Sequence, residues 1–64
     1  MNILNEIIRD LMFENKKTIT DVSNMTGFDI DRIKSIVLND AIPTMHEAYV
    51  ILGRLGVDLG EMLR

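Results

Sequence analysis

Two short amphipathic stretches separated by a single glycine constrain this 64-residue chain more than any other feature. Gly27 follows the first stretch, and glycine adopts at little cost the left-handed backbone that ends a helix. Asp29 is a good N-cap, because its carboxylate can accept a backbone N–H from the turn that follows. From Ile30 onward, isoleucine and valine recur at helical spacing. The pattern predicts one helix that ends before Gly27 and a second that runs to Leu38.

The second stretch combines a narrow apolar stripe with a polar outer surface. The stripe consists of Ile30, Ile33, Ile36 and Val37, and the polar residues between them are Asp31, Arg32, Lys34 and Ser35. Two short helices joined through one glycine are typical of a helix-turn-helix, here at about residues 18–38. In that motif the second helix enters the major groove of DNA. The residues alone leave another interpretation open, a helix hairpin in a small all-α domain that contacts no nucleic acid.

The length and the cysteine count bound what the chain can be. Residues 1–64 form one domain, and a chain this short buries only about 60% of its unfolded surface. Cysteine is absent, which excludes disulfides and thiolate metal sites. The apolar residues repeat with a helical period, so we expect an all-α fold. Neither a signal peptide nor an 18-residue apolar segment is present, so we expect a cytoplasmic protein without membrane contact.

The charge balance works against nucleic-acid binding. Seven lysines and arginines face ten aspartates and glutamates, which gives a net charge of −3. Neutralised phosphates supply most of the general affinity of a protein for DNA, and a DNA-binding domain is usually basic. Binding would therefore have to rely on a local basic patch, on helix N-termini and on dimerisation.

The rest of the chain carries further helix signals. Apolar residues at i, i+3 and i+4 spacing over Ile3–Met12 predict an amphipathic first helix, with Asn5 on its polar face. Capping boxes begin helices at Thr18 and Thr44, and Gly56 ends the fourth helix. A predicted fifth helix is capped by Asp58 and carries Leu59, Met62 and Leu63.

From Thr18 to Leu63 these features resemble, in order and spacing, the lambda-repressor-like or Cro-type (XRE family) helix-turn-helix domain of phages and bacteria. They are a capped helix, Gly27-Phe28, the second helix, Pro43-Thr44 and Leu55-Gly56-Val57. The helix before Thr18 fits as the first of the family, so the resemblance covers nearly the whole chain. It implies a compact five-helix all-α domain that binds double-stranded operator DNA, usually as a homodimer, and regulates transcription.

The chain departs from the family pattern at five positions, one of which is Lys17 in a slot that is usually apolar. Ile19 replaces a glutamine that often holds DNA. Met12 and Val37 stand where many members have an Arg–Glu ion pair, and replacing both partners together strands no buried charge. Asn39 replaces the glycine after the recognition helix, and asparagine is the next best residue for a left-handed backbone.

The resemblance assigns DNA contacts to individual side chains. Lys34 could donate to guanine O6 and N7, Ile30 could pack on a thymine methyl group, and Asp31 could accept from a cytosine amino group. The expected base contacts are Ile30, Asp31, Lys34 and Ser35. The expected phosphate contacts are Lys16, Lys17, Thr20, Arg32, Asn39 and His46.

The fourth helix has more apolar residues than one buried stripe can use. Residues 49–52 are all apolar, and a helix turns about 100° per residue, so they cannot all face one core. This surplus predicts a homodimer interface, with Ile51 and Leu55 kept in the monomer core. The expected interface residues are Tyr49, Val50, Leu52, Leu59 and Met62.

A second class of function remains open. An acidic surface around the motif would favour a protein-binding module on the same scaffold, such as an anti-repressor or an antitoxin-like regulator that binds another regulator protein. We expect no enzyme, no cofactor and no metal site. His46 is the only histidine, and the chain has neither a glycine-rich phosphate loop nor a nucleophile–base pair.

Overall fold

The computed structural model describes residues 3–57, which form four α-helices and no β-strand. The helices are α1 (Ile3–Glu14), α2 (Ile19–Thr26), α3 (Ile30–Leu38) and α4 (Met45–Arg54). The all-α class is confirmed, but the expected count of five helices is not met, and the predicted fifth helix from Asp58 lies outside the described residues. The radius of gyration, 10.8 Å, matches the value of about 11 Å for a compact chain of this length. No described helix is both long and apolar enough to cross a membrane.

Both predicted capping boxes are present. The Thr18 hydroxyl accepts the Asp21 N–H at 3.1 Å, and the Asp21 carboxylate accepts the Thr18 N–H at 2.9 Å. At the start of α4, Thr44 and Glu47 exchange the same pair of bonds at 3.1 and 2.8 Å. Each box satisfies two of the N–H groups that a helix start leaves without a partner.

The turn between α2 and α3 follows the prediction. Gly27 has φ 78° and ψ 4°, and its N–H donates to the carbonyl of Ser23. The Ser23 hydroxyl donates to the Phe28 carbonyl at 2.7 Å, which holds the residue after the glycine against α2. Asp29 then caps α3 by accepting the Asp31 N–H. The connection between α2 and α3 is therefore only three residues long.

The end of α3 differs from the prediction for Asn39. Asn39 has φ −113°, and the next residue, Asp40, takes the left-handed backbone with φ 54°. The Asn39 N–H donates to the Ser35 carbonyl, so the last helical turn continues one residue further than expected. The Asp40 side chain is held by Arg9 at 3.0 Å, and aspartate, like asparagine, tolerates this backbone region.

The core lies where α1 and α2 both contact the other two helices. The Cα atoms of α2 approach those of α3 and α4, and so do those of α1, whereas α3 and α4 do not approach each other directly. Ile8, Ile33 and Ile36 have no exposed surface, and burying each such side chain contributes roughly 1.5–3 kcal/mol. The remaining buried apolar residues are Met12, Val22, Val37, Ala48, Ile51, Leu52 and Leu55.

Asn5 lies inside the protein and not on the polar face of α1 as predicted. It has no exposed surface, and its amide nitrogen donates to the carbonyls of Ile36 at 2.7 Å and Ala41 at 2.9 Å. One turn later, Arg9 donates to the Val37 carbonyl at 3.0 Å. The last carbonyls of a helix have no partner within the helix, so α1 supplies partners for the C-terminal end of α3.

Candidate nucleic-acid interface

The outer face of α3 holds the predicted base-contact residues at different depths. Asp31, Lys34 and Leu38 are exposed, whereas Ile30 and Ser35 are half-buried. Spacings of three and four residues place the exposed three in one row along the helix. The Ser35 hydroxyl donates to the Asp31 carbonyl at 3.0 Å, but its oxygen can still accept. The row therefore offers one acceptor, one cation and one apolar tip.

Lys34 is the one basic residue of α3 whose charge is not used inside the fold. Among residues 3–57 the salt bridges are Arg9–Asp40 and Arg32–Glu47, so Lys34 has no ion-pair partner there. Its closest charged neighbour along the row is Asp31, one turn earlier. A lysine ammonium with three donors and a flexible stem can reach either a base edge or a phosphate.

Arg32 joins the start of α3 to the start of α4. Its Nε and Nη2 donate to the two carboxylate oxygens of Glu47 at 2.7 and 2.8 Å, and Nη2 also donates to the Ile42 carbonyl at 3.2 Å. This two-point geometry is the strong form of an Arg–carboxylate pair. The side chain of Arg32 is 37% exposed and that of Glu47 is 14% exposed, so the pair is partly shielded from water.

The pair shifts the ionisation of both partners. The Arg32 hydrogen bonds, followed by the N–H and hydroxyl of Thr44, lower the pKa of Glu47 from 4.5 to about 2, although partial burial acts in the opposite direction. The Glu47 hydrogen bonds raise the pKa of Arg32. Arg32 was predicted as a phosphate contact, and in this structure its donors face a carboxylate of the same chain.

The other predicted phosphate contacts are all exposed but are spread over the molecule. Lys16 and Lys17 lie in the α1–α2 connection, where Lys16 has φ 56°, and Thr20 lies in the first turn of α2. Asn39 lies at the opposite end of α3 from Arg32. His46 lies in the first turn of α4, with its ring edge-on to Phe28 at a centroid distance of 6.1 Å.

Lys17 and His46 each have a neighbour that shows where they lie in the fold. The Lys17 charge acts on Asp21, whose pKa is lowered first by the Thr18 N–H, then by the Thr18 hydroxyl, and least by Lys17. The His46–Phe28 contact brings the first turn of α4 beside the α2–α3 turn. His46, Arg32 and the start of α3 therefore lie together, whereas Lys17 lies beside the start of α2.

The outward side of α4 is a second candidate binding surface, because it exposes apolar side chains. The outer side of α4 has a hollow of about 190 Å³ lined by Tyr49, Val50, Gly53 and Arg54. Tyr49 is 61% exposed and Val50 is half-buried, which leaves both accessible as the dimer prediction requires.

Leu52 is a correction to the predicted dimer interface. It is only 6% exposed and packs in the monomer core, together with Ile51 and Leu55, whose burial was predicted. The physical reason is that α4 contacts both α1 and α2, so its buried arc is wider than the single stripe assumed from sequence. The other two predicted interface residues, Leu59 and Met62, lie outside the described residues.

No metal site can be assigned to the described part of the chain. No three His, Asp or Glu side chains gather within residues 3–57 in a way that could hold a metal ion.

Comparison with known proteins adds no relative. No family model matches the chain, and no curated protein and no solved structure is significantly similar to it. The resemblance to lambda-repressor-like domains therefore depends on the residues and spacings given above and stays a prediction.

Proposed function

We propose that this protein is a small Cro- or repressor-like regulator that binds operator DNA by inserting α3 into the major groove, as a homodimer. The observation that carries the proposal is the α2–Gly27–α3 arrangement, in which α3 keeps an outward row of unburied side chains. Glycine in the left-handed region, a cap at Asp29 and a fully buried inner face at Ile33 and Ile36 fix the direction of that row.

The dimensions of α3 suit a groove. An α-helix with its side chains is about 10–12 Å across, and the major groove, about 12 Å wide, admits one. In the proposed pose Lys34 donates to a guanine, Ser35 accepts from a neighbouring base edge, and Asp31 accepts from a cytosine amino group. Ile30, half-buried, reaches a thymine methyl group with its outer edge.

Electrostatics make dimerisation part of the proposal. The chain carries a net charge of −3, and Asp29 and Asp31 both lie exposed at the start of α3. One half-site would neutralise few phosphates, through Lys16, Lys17 and the donors of Thr20, Asn39 and His46. Two half-sites held one helical turn apart double these contacts without requiring a basic monomer.

A second candidate function is a protein-binding module on the same scaffold, and exposed apolar side chains favour it. Phe13 and Met45 are 86% and 85% exposed, and Ile42 is 71% exposed. Single exposed apolar residues are common on monomers, but an acidic protein with several of them also suits a protein partner. This alternative requires no contact between α3 and phosphate.

A salt series separates the two functions. Fluorescence-anisotropy titrations of a labelled random duplex, at 50 to 200 mM salt, measure how the binding constant falls as salt rises. Binding whose logarithm falls linearly with the logarithm of the salt concentration supports the DNA function. No binding at 50 mM, with the helices intact by circular dichroism, contradicts it and leaves the protein-binding module.

A further inference from the structure

The Arg32–Glu47 pair is the one polar link between α3 and α4 that side chains of both helices make in residues 3–57. The two helices do not approach each other through their backbones, and no other hydrogen bond or ion pair joins them in that part of the chain. Arg32 also donates to the Ile42 carbonyl in the connecting loop. The guanidinium therefore serves three acceptors of its own chain.

The carboxylate of Glu47 is bound by donors of the kind that can also bind a phosphate. Its Oε1 accepts from the Thr44 N–H at 2.8 Å as well as from Arg32, and its Oε2 accepts from Arg32 Nε. Backbone N–H groups at a helix start and an arginine fork are the donors that bind phosphate oxygens. An internal anion already occupies them.

We propose that Glu47 withholds Arg32 from DNA, so that Arg32 positions α3 against α4 and neutralises no phosphate in the complex. The inference rests on the proposed function, because it concerns which cations of the same interface meet DNA. For a phosphate to take the Nε and Nη2 donors of Arg32, three hydrogen bonds would break and Glu47 would be left near the phosphate with its charge uncompensated. Nη1 has no hydrogen bond within residues 3–57, but a phosphate that met it would face a guanidinium whose charge Glu47 already neutralises. Lys34 then remains the cation that α3 itself offers to DNA, which deepens the need for two half-sites.

If the pair only positions α3, releasing Arg32 from Glu47 does not change the number of phosphates that the protein neutralises. If Glu47 withholds Arg32 from DNA, releasing Arg32 adds a phosphate contact. Each phosphate that a protein neutralises steepens the salt dependence of binding by about 0.9 in the log–log slope on duplex DNA. Loss of α3 positioning lowers affinity, whereas a change in the number of phosphate contacts changes the slope. The slope is therefore the informative measurement.

The test compares salt slopes for one duplex across matched variants. The double variant Arg32→Met/Glu47→Gln removes the pair without leaving an uncompensated carboxylate, and it is expected to keep the wild-type slope. Lys16→Met, a predicted phosphate contact, is expected to lower the magnitude of the slope by about one. Glu47→Gln alone is expected to raise the magnitude by about one, because Arg32 becomes available. A slope for the double variant that falls as much as that for Lys16→Met overturns the inference.

A measurement on the unmodified protein covers the case in which a variant does not fold. The Nε–H cross-peak of Arg32 in a ¹H–¹⁵N spectrum reports on its bond to Glu47. It is expected to keep its position when the protein is saturated with duplex, and a large shift of that peak overturns the inference. If wild type and Glu47→Gln, both folded, bind no DNA at low salt, the proposed function and the inference fail together. If wild type binds and only the Arg32 results disagree, the inference alone fails.

Discussion

Glu47 has three hydrogen-bond donors around one carboxylate, and this residue shows how local and long-range signals combine in the chain. The Thr44 N–H lies three residues away and completes a capping box, whereas Arg32 lies fifteen residues away on another helix. Arg32 is the larger cause of the lowered pKa of Glu47. The bond that most affects the ionisation of this residue is therefore the one that depends on the tertiary fold.

The lowered pKa makes the contribution of Glu47 to folding depend on pH. A carboxyl whose pKa falls from 4.5 unfolded to about 2 folded stabilises the fold fully above the unfolded value, and that stabilisation is lost as the pH falls toward 2. Denaturant unfolding of wild type and Glu47→Gln between pH 6 and 2 should show the largest difference in unfolding free energy at pH 6. The difference should shrink as the pH falls.

Glu14→Gln is the matched control for this prediction. Glu14 is exposed, and its side chain makes no hydrogen bond or ion pair among the described residues, so its replacement should leave the acid-dependent loss of stability as in wild type. Asp21, whose pKa is also lowered, contributes its own loss in every variant. A wild-type to Glu47→Gln difference that is constant from pH 6 to 2 contradicts the account.

Asn5 marks the limit of prediction at the residue scale. Its position, three residues before Ile8, lies on the inner side of α1, but its polar side chain indicated the outer side. Its acceptors, the carbonyls of Ile36 and Ala41, are 31 and 36 residues away. No local pattern shows that α3 will end beside it, so burial of this asparagine follows only from the packed structure. Within residues 3–57 its Oδ1 has no hydrogen-bond partner.

At the scale of elements, local signals predicted most of the fold. The capping boxes at Thr18 and Thr44, the cap at Asp29 and the glycines at 27 and 56 all have the geometry that their sequence neighbours indicate. These signals work because cap and turn bonds join residues two to five positions apart. The left-handed residue after α3 was assigned one position early, because both candidates tolerate that backbone and a bond from Arg9 holds the later one.

Replacement by alanine should have opposite effects on stability at Gly27, in the α2–α3 turn, and at Gly53, within α4. Gly27 has φ 78°, so Gly27→Ala is expected to destabilise the protein by roughly 1–2 kcal/mol, although open space surrounds a Cβ there. Gly53 has helical backbone and nothing within 4 Å of a Cβ, so Gly53→Ala is expected to stabilise it by roughly 0.5–1 kcal/mol. Chemical denaturation of the monomer measures both. Equal effects of the two changes would show that the α2–α3 turn is not formed as described.

At the scale of the whole molecule, the sequence indicated too much apolar surface on α4 and placed Ile51 and Leu55 in the core, but it wrongly left Leu52 outside the core. Leu52 is buried because α4 packs on two helices, whereas Tyr49, three residues earlier, remains exposed. On the candidate DNA face, too, the sequence predicted some positions and missed one contact. The sequence placed Asp31 and Lys34 on the outer face of α3, but it did not show that Arg32 is bound to Glu47, because that partner lies beyond a loop whose course depends on the core.

The proposed homodimer predicts an effect of charge on the outer side of α4. Tyr49→Glu places a carboxylate beside the hollow, and burying an unpaired charge in an interface is costly, so the variant should be monomeric. Phe13→Glu is the control, because Phe13 is exposed on α1 outside the predicted interface. Sedimentation velocity at tens of micromolar should give dimers for wild type and the control. A wild-type monomer at that concentration contradicts the dimer and weakens the operator-binding proposal.

The central claim, that α3 reads DNA, is tested most directly by Lys34→Ala on two duplexes. One duplex is selected from a random pool by the wild-type protein, and the other is an unselected sequence of the same length. Lys34→Ala should lose roughly 1–3 kcal/mol on the selected duplex and much less on the other, whereas Lys16→Ala should weaken both about equally. Equal binding of wild type and Lys34→Ala to the selected duplex, with both proteins folded, would contradict the account.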